Sequence, residues 1–375
     1  IPGTALHEGV DWNWETFPEF LDAIEKKDFV MDLGFMIGHG PLRSYVMGYE
    51  RCQSQVDASK EEISKMSDIV TEAIESGALG FSTSRTILHR DVHGVYVPGT
   101  EASSEEMKSL AFAIDKAGEG TLEIVSDWLD KEIEMSWMRE YVEKSDCGLT
   151  VLQTSGDAVK TILFCEEQFL KGKNVRPQFP GRNVGMMFGL ESSLHPFIGH
   201  PSYREIADLP LSERVKIMKD PAFKEKLLNE KPNFASEIEK SMNEQGNTKS
   251  QEEIKEAANL GLKLISNYDT QFILGDPPNY EPGKEDSIAA LAKSKGIAEL
   301  EVIYDEFLKN EGTNLVYACF TPYDNHKLDF VERAYSLKSS VAGGSDGGAH
   351  CGLICDASMP TTNLSHWARD REAGK

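Results

Sequence analysis

The sequence has no basic excess, no long apolar run and no dense cysteine framework, and each absence removes a class of protein. With 62 acidic against 39 basic side chains the formal net charge is -23. Such a chain repels nucleic acid and anionic membranes unless a basic patch intervenes, and no patch is visible. No apolar stretch approaches the roughly 18 residues that read as a membrane-spanning helix. Six cysteines in 375 residues, without regular spacing, point to a reducing, cytoplasmic setting rather than a disulfide-built secreted domain. Internal repeats, low-complexity tracts and the glycine-rich phosphate fingerprint of doubly wound sheets are also missing. What remains is long and apolar enough, at 40% hydrophobic residues, to bury a sizeable core. The chain starts at Ile1 and ends on the polar Arg371-Glu-Ala-Gly-Lys375, so it is expected to be a piece of a longer protein. The lack of a targeting signal in it excludes nothing.

The first two-thirds alternates β-rich runs with amphipathic helices, the pattern of a parallel sheet with helical crossovers. Phe29 to Met36 reads as the first strand. Two Ser-x-x-Glu capping boxes, Ser59 to Glu62 and Ser103 to Glu106, open helices that stop near Gly77 and Gly118. Strands are expected at 78–82, 121–126, 149–153 and 175–178. Residues 201–262 break the rhythm, being charged, helix-prone and divided by Asp220-Pro221 and Lys231-Pro232, and read as a helical insertion. The β/α pattern resumes at 270–274 and 314–317 and closes with 339–345. This predicts a partial (β/α)8 TIM-like barrel in three parts: residues 1–200, the insertion, and residues 263–375.

The run Val341-Ala-Gly-Gly-Ser-Asp-Gly-Gly-Ala-His-Cys-Gly-Leu-Ile-Cys-Asp356 is the most informative segment. An apolar strand stops at Ser345-Asp346, and glycines let the chain turn and a ligand approach. In a barrel, catalytic groups stand at such strand ends. Asp346 suits metal binding or proton transfer, although Ser-Asp-Gly-Gly also makes an ordinary turn. His350, Cys351, Cys355 and Asp356 are metal-ligand types, but their spacing matches no closed zinc motif. His39 and Arg43 follow the first strand, where an arginine suits a planar carboxylate. The alternative is a pair that holds loops together. His89, Arg90 and His93 occupy a polar loop leading into Tyr96-Val-Pro-Gly99. His195-Pro and His200-Pro precede the insertion, as lid hinges or as plain turns.

Taken in order, several short motifs resemble the amidohydrolase superfamily, in its D-aminoacylase (N-acyl-D-amino-acid deacylase) branch. They are Ile1-Pro-Gly-Thr4 with Trp12-Asn-Trp14 and Phe17; Gly38-His-Gly-Pro-Leu-Arg43 with Met47-Gly48; Gly77-Ala-Leu-Gly-Phe-Ser-Thr83; Tyr96-Val-Pro-Gly99; Leu274-Gly-Asp-Pro-Pro278 with Tyr280-Glu-Pro282; and Ser345-Asp-Gly-Gly-Ala-His350 with Asp356 and Trp367. The resemblance implies a distorted (β/α)8 barrel that hydrolyses amide C–N bonds of a small-molecule substrate with zinc. It makes Asp346 a metal-associated general base that activates the attacking water and returns the proton to the departing nitrogen. The family's His-x-His is absent from the chain. Two later strand ends, expected to carry histidine, show Ser126-Asp127 and Gln153-Thr154 instead. The implied metal set is therefore Asp346, Asp127 and His350, with the substrate met by Arg43, Tyr96, Arg182 and His350. N-acyl amino acid deacylation is the leading expectation. A cyclic-amide hydrolase of the dihydropyrimidinase or hydantoinase kind and a catalytically lapsed barrel that only binds are the alternatives.

Overall fold

The computed structural model describes residues 7–54, 56–87, 89, 95–128, 130–153, 159–234, 259, 261–321, 323–345, 347, 352–354 and 356–371. Its strands are β1 Ile37–Gly38, β2 Gly80–Arg85, β3 Thr121–Ser126, β4 Gly148–Leu152, β5 Val175–Pro180, β6 Val184–Phe188, β7 Gln271–Ile273, β8 Val316–Thr321 and β9 Val341–Gly343. They form a six-stranded sheet of order β1-β2-β3-β4-β5-β9 and a three-stranded sheet of order β6-β8-β7. The chain divides accordingly into two compact units, Pro2–Phe179 with Ala334–Gly343, and Pro180–Arg333 with Gly344–Lys375.

In the first unit, β1 to β5 pair in parallel in chain order. Helix α1 Phe17–Glu25 precedes β1. Parallel neighbours need crossover connections, and the later helices supply them: α2 His39–Met47, α3 Tyr49–Gln53, α4 Lys60–Glu75, α5 Ser104–Ala117, α6 Lys131–Lys144 and α7 Val159–Leu170. α4 starts where the sequence places it because Ser59 and Glu62 exchange hydrogen bonds, Glu62 N–H to Ser59 Oγ at 3.2 Å and Ser59 N–H to Glu62 Oε2 at 2.8 Å. Its apolar stripe, Ile63, Met66, Val70 and Ile74, and that of α5, Met107, Leu110 and Ile114, bury against Phe81, Leu122, Ile124, Leu149 and Val151. Each such side chain contributes about 1.5–3 kcal/mol when fully buried. Along β3 the burial alternates. Leu122 and Ile124 face the helices, while Glu123 and Val125 lie on the opposite, half-exposed face.

The second unit packs β6, β7 and β8 antiparallel beside the helices Pro201–Arg204, Leu211–Met218, Pro221–Asn229, Ile288–Lys295 and Glu299–Phe307. Phe188, Phe197, Tyr203, Tyr304 and Phe307 form the centre of its core.

Three expectations change. Residues 29–36 are not a strand. Val30 is 100% exposed, Phe29, Met31 and Leu33 are exposed too, and only Ile37–Gly38 finds a partner edge on β2. The runs at 270–274 and 314–317 do not continue the parallel series. They fall in β7 and β8, whose antiparallel pairing belongs to a different sheet. Mixed α/β architecture with a parallel sheet holds, but among the described residues no pairing joins β9 to β1 into a closed barrel. Strand β6 and helix α1 escaped the sequence reading. No helix among the described residues is long and apolar enough to cross a membrane.

Candidate functional site at the carboxyl edge of the parallel sheet

In open parallel sheets ligands bind beyond the carboxyl ends of the strands, and the polar candidates of the first unit gather there. His39 follows β1 directly. Its ring turns into the helix layer, 2% exposed, where Nε2 lies 2.8 Å from Glu106 Oε1 and Nδ1 lies 2.8 Å from Thr83 Oγ1. Burial lowers the His39 pKa, against the opposing pull of Glu106, so the ring is neutral near pH 7. A carboxylate only accepts, which makes Nε2 the donor to Glu106 and leaves Nδ1 to accept from the Thr83 hydroxyl.

Arg43, one helical turn further on, is 1% exposed. Its Nε is 2.9 Å from Glu106 Oε1, and Nη2 donates to the Val56 carbonyl at 3.0 Å. This explains why the second capping box is half-formed. Ser103 Oγ accepts the Glu106 N–H at 3.3 Å, but the Glu106 carboxylate is spent on His39 and Arg43. Glu106 went unnoticed in the sequence because a capping glutamate is an ordinary surface residue, whereas here it is fully buried.

At the end of β2, Arg85 pairs with Glu134 of α6 at 2.7 Å. Ser84 and His89 stand close by, Oγ to Nδ1 2.6 Å. Beyond β3 comes Asp127, an exposed carboxylate whose Oδ2 accepts the Ile87 N–H at 2.7 Å. The next residue, Trp128, has φ +56°. For a bulky side chain that left-handed conformation costs on the order of 1–3 kcal/mol and is a mark of functional sites. Beyond β4, Gln153 is fully buried, its Nε2 donating to the Val151 carbonyl at 3.4 Å. Below this edge Glu123 hydrogen-bonds Gln178, and burial raises its pKa. Tyr96 is half-buried in the segment before α5.

In the second unit Arg182 is 0% exposed. It sits 3.2 Å from Asp356 Oδ1, donates to Tyr317 Oη at 3.2 Å and Ser358 Oγ at 3.1 Å, and stacks on Tyr280 with its guanidinium carbon 3.9 Å from the ring centre. Burial holds the Tyr317 phenol well above its usual pKa. Arg43 and Arg182, both expected to meet substrate, thus each hold a protein carboxylate. His195 and His200 are buried as well. Asp346 and His350 lie outside the described residues, as do Arg90, His93, Cys351 and Cys355.

Among the described residues no group of three or more His, Cys, Asp and Glu side chains could hold a metal ion. Asp127 is the single described member of the expected set. The described residues alone do not fit zinc.

No family model matches the chain. A stretch of 106 residues, 28% of the chain, is 34% identical to a D-aminoacylase of Alcaligenes xylosoxydans xylosoxydans and spans 19% of that protein. Uncharacterized proteins of Mycobacterium tuberculosis and Mycobacterium bovis are each 33% identical over 70 residues, 18% of this chain and 12% of theirs. The chain therefore matches well under two thirds of the length of these relatives. Over the matched stretch it is a homologue of a D-aminoacylase, in keeping with the branch its motifs resemble. A crystal structure of N-acyl-D-glutamate deacylase from Bordetella bronchiseptica, complexed with zinc and a phosphonate inhibitor, superimposes with a TM-score of 0.42 at 15% identity, covering 88% of this chain and 51% of that one.

Proposed function

We propose that the chain is part of a hydrolase of non-peptide C–N bonds that deacylates N-acyl amino acids. The observation that carries this reading is the 34% identity to a D-aminoacylase. The parallel sheet, with Asp127 and the strained Trp128 at its carboxyl edge, suits it. In this reading the six strands belong to a (β/α)8 barrel. Asp346 takes a proton from the attacking water. The new C–O bond forms, the carbonyl–nitrogen bond breaks, and Asp346 returns the proton to the departing nitrogen, releasing a carboxylic acid and an amino acid. Tyr96 and His350 face the substrate. Zinc is the proposed cofactor on the strength of the motif resemblance, with Asp127, Asp346 and His350 as its proposed partners, and the proposed location is the cytoplasm. Because Arg43 and Arg182 are occupied by Glu106 and Asp356, neither is proposed to touch substrate.

One observation favours a second reading, a lapsed barrel that only binds. The end of β4 carries a buried amide, Gln153, where the resemblance expects a histidine ligand. Metal analysis of the full-length protein and a hydrolysis screen over N-acetyl-D-amino acids, N-acetyl-L-amino acids and cyclic ureides separate the two. Turnover is expected, and Asp346→Asn should lower kcat by about 10²–10⁴-fold. A protein with no bound metal and no turnover under any added divalent ion is the lapsed barrel. Turnover surviving in Asp346→Asn removes the assigned base.

A further inference from the structure

We infer that Arg85 is a positioning residue, clamping the Tyr96–Ala102 segment to the carboxyl end of β2 so that Tyr96 is presented to substrate. Arg85 is the last residue of its strand, and its side chain is 11% exposed. One edge of the guanidinium is fixed, with Nε and Nη2 both 2.7 Å from Glu134 Oε1. The remaining nitrogen, Nη1, donates to two carbonyls of the segment, Ala102 at 3.0 Å and Gly99 at 3.2 Å. A planar guanidinium suits this because its donors leave in fixed directions, so anchoring one edge aims the other.

The opposite side of the segment is held by contact. Gly99 has φ +101°, and a Cβ there would lie 2.5 Å from His39 Nδ1. His39 cannot yield, since both its nitrogens are engaged by Thr83 and Glu106. Within the segment Thr100 N–H donates to the Val97 carbonyl and Ala102 N–H to the Gly99 carbonyl, each at 3.2 Å. Val97 N–H reaches back to the His89 carbonyl at 3.2 Å. The result is a short turn with a cation on one side and a locked imidazole on the other, and Tyr96 stands at its entrance.

The functional half of this inference rests on the proposed deacylase reading, whereas the clamp does not. Arg85→Lys keeps the charge but has a single nitrogen for three acceptors. Amide exchange at Val97, Thr100 and Ala102 should then speed up at least tenfold while exchange within α4 stays as in the wild type. Unchanged exchange in this segment overturns the clamp, whatever the enzyme assay shows. Should Arg85→Lys unfold the protein, Glu134→Gln loosens the anchored edge of the same guanidinium and should give the same local acceleration. For N-acetyl-amino acid hydrolysis, Arg85→Lys and Tyr96→Phe are each expected to raise KM several-fold with kcat within about twofold. If Arg85 acts through Tyr96, the double variant has the KM of the weaker single variant, and multiplying effects overturn the assignment. A wild type without turnover counts against the deacylase reading and leaves the clamp to stand or fall on exchange.

Discussion

Each of the two units buries a histidine that the sequence offers as a functional candidate, and the two are buried in opposite ways. His39 meets a carboxylate, a hydroxyl and a nearby guanidinium. His195 sits in an aromatic cage, its ring centre 4.8 Å from Tyr203 and 5.9 Å from Phe307, with Nδ1 accepting the Phe197 N–H at 3.2 Å. Burial first, then the positive charges of Arg214 and His200, push the His195 pKa down to about 3. A buried imidazole is thus no sign of catalysis by itself. The first is a linker in an ionic network and the second behaves as an apolar ring with one polar contact.

The comparison breaks most visibly at Glu106. If His39 and Arg43 are held by that one carboxylate, Glu106→Ala leaves a guanidinium buried and uncompensated. Removing one partner of a buried pair costs about 3–5 kcal/mol, so the urea midpoint of the parallel-sheet unit should fall sharply. A loss below about 1 kcal/mol would mean that Arg43 relaxes to solvent and that the network is not what holds α2 against α5.

The acid limb of stability sharpens the other side. His195 has a folded pKa near 3 and an unfolded value near 6.5. The unfolded chain binds the proton first, so the contribution is fully present above pH 6.5 and is lost as pH falls from there toward 3. By pH 5 the loss is about 2 kcal/mol at 1.36 kcal/mol per pH unit. His195→Gln keeps an acceptor for the Phe197 N–H and does not titrate. Its stability, measured by urea denaturation between pH 7 and pH 5, should decline less than the wild type's. Parallel curves would show that His195 is protonated in the folded state. His39, whose pKa burial also lowers, acts in the same direction and remains in both proteins.

Much of the parallel unit is legible in the sequence because local and long-range signals agree there. The Ser59 box, the stripe from Ile63 to Ile74 and the β-branched run Thr121 to Ser126 each specify their element without help. The two short antiparallel strands were misassigned because a run such as Gln271-Phe-Ile273 carries no sign of which edge it will pair with, and direction is decided by a partner far along the chain. The same applies to the site. Arg43 looks like a carboxylate binder and is one, but the carboxylate is Glu106 of its own fold. Arg85 and Glu134 are separated by 49 positions and have no shared motif, so only the folded sheet brings them together. Trp128 gives no hint of its φ, since left-handed backbone is expected of glycine or asparagine rather than tryptophan.

The smallest effect on stability is expected at Asp127, where a loss of function is proposed. Asp127 is exposed, and the hydrogen bond its carboxylate accepts from the Ile87 N–H can be accepted equally well by an amide oxygen. Asp127→Asn should therefore change the unfolding free energy by less than about 0.5 kcal/mol, as surface substitutions ordinarily do. Its charge is what differs. A carboxylate proposed to face a metal loses affinity on becoming an amide, so metal content and hydrolysis should both fall while the denaturation curve stays in place. That separation is the opposite of Glu106→Ala, where stability moves first. If Asp127→Asn instead destabilises the sheet with hydrolysis intact, Asp127 is a turn residue that holds Ile87, and the strain at Trp128 serves that turn rather than a ligand.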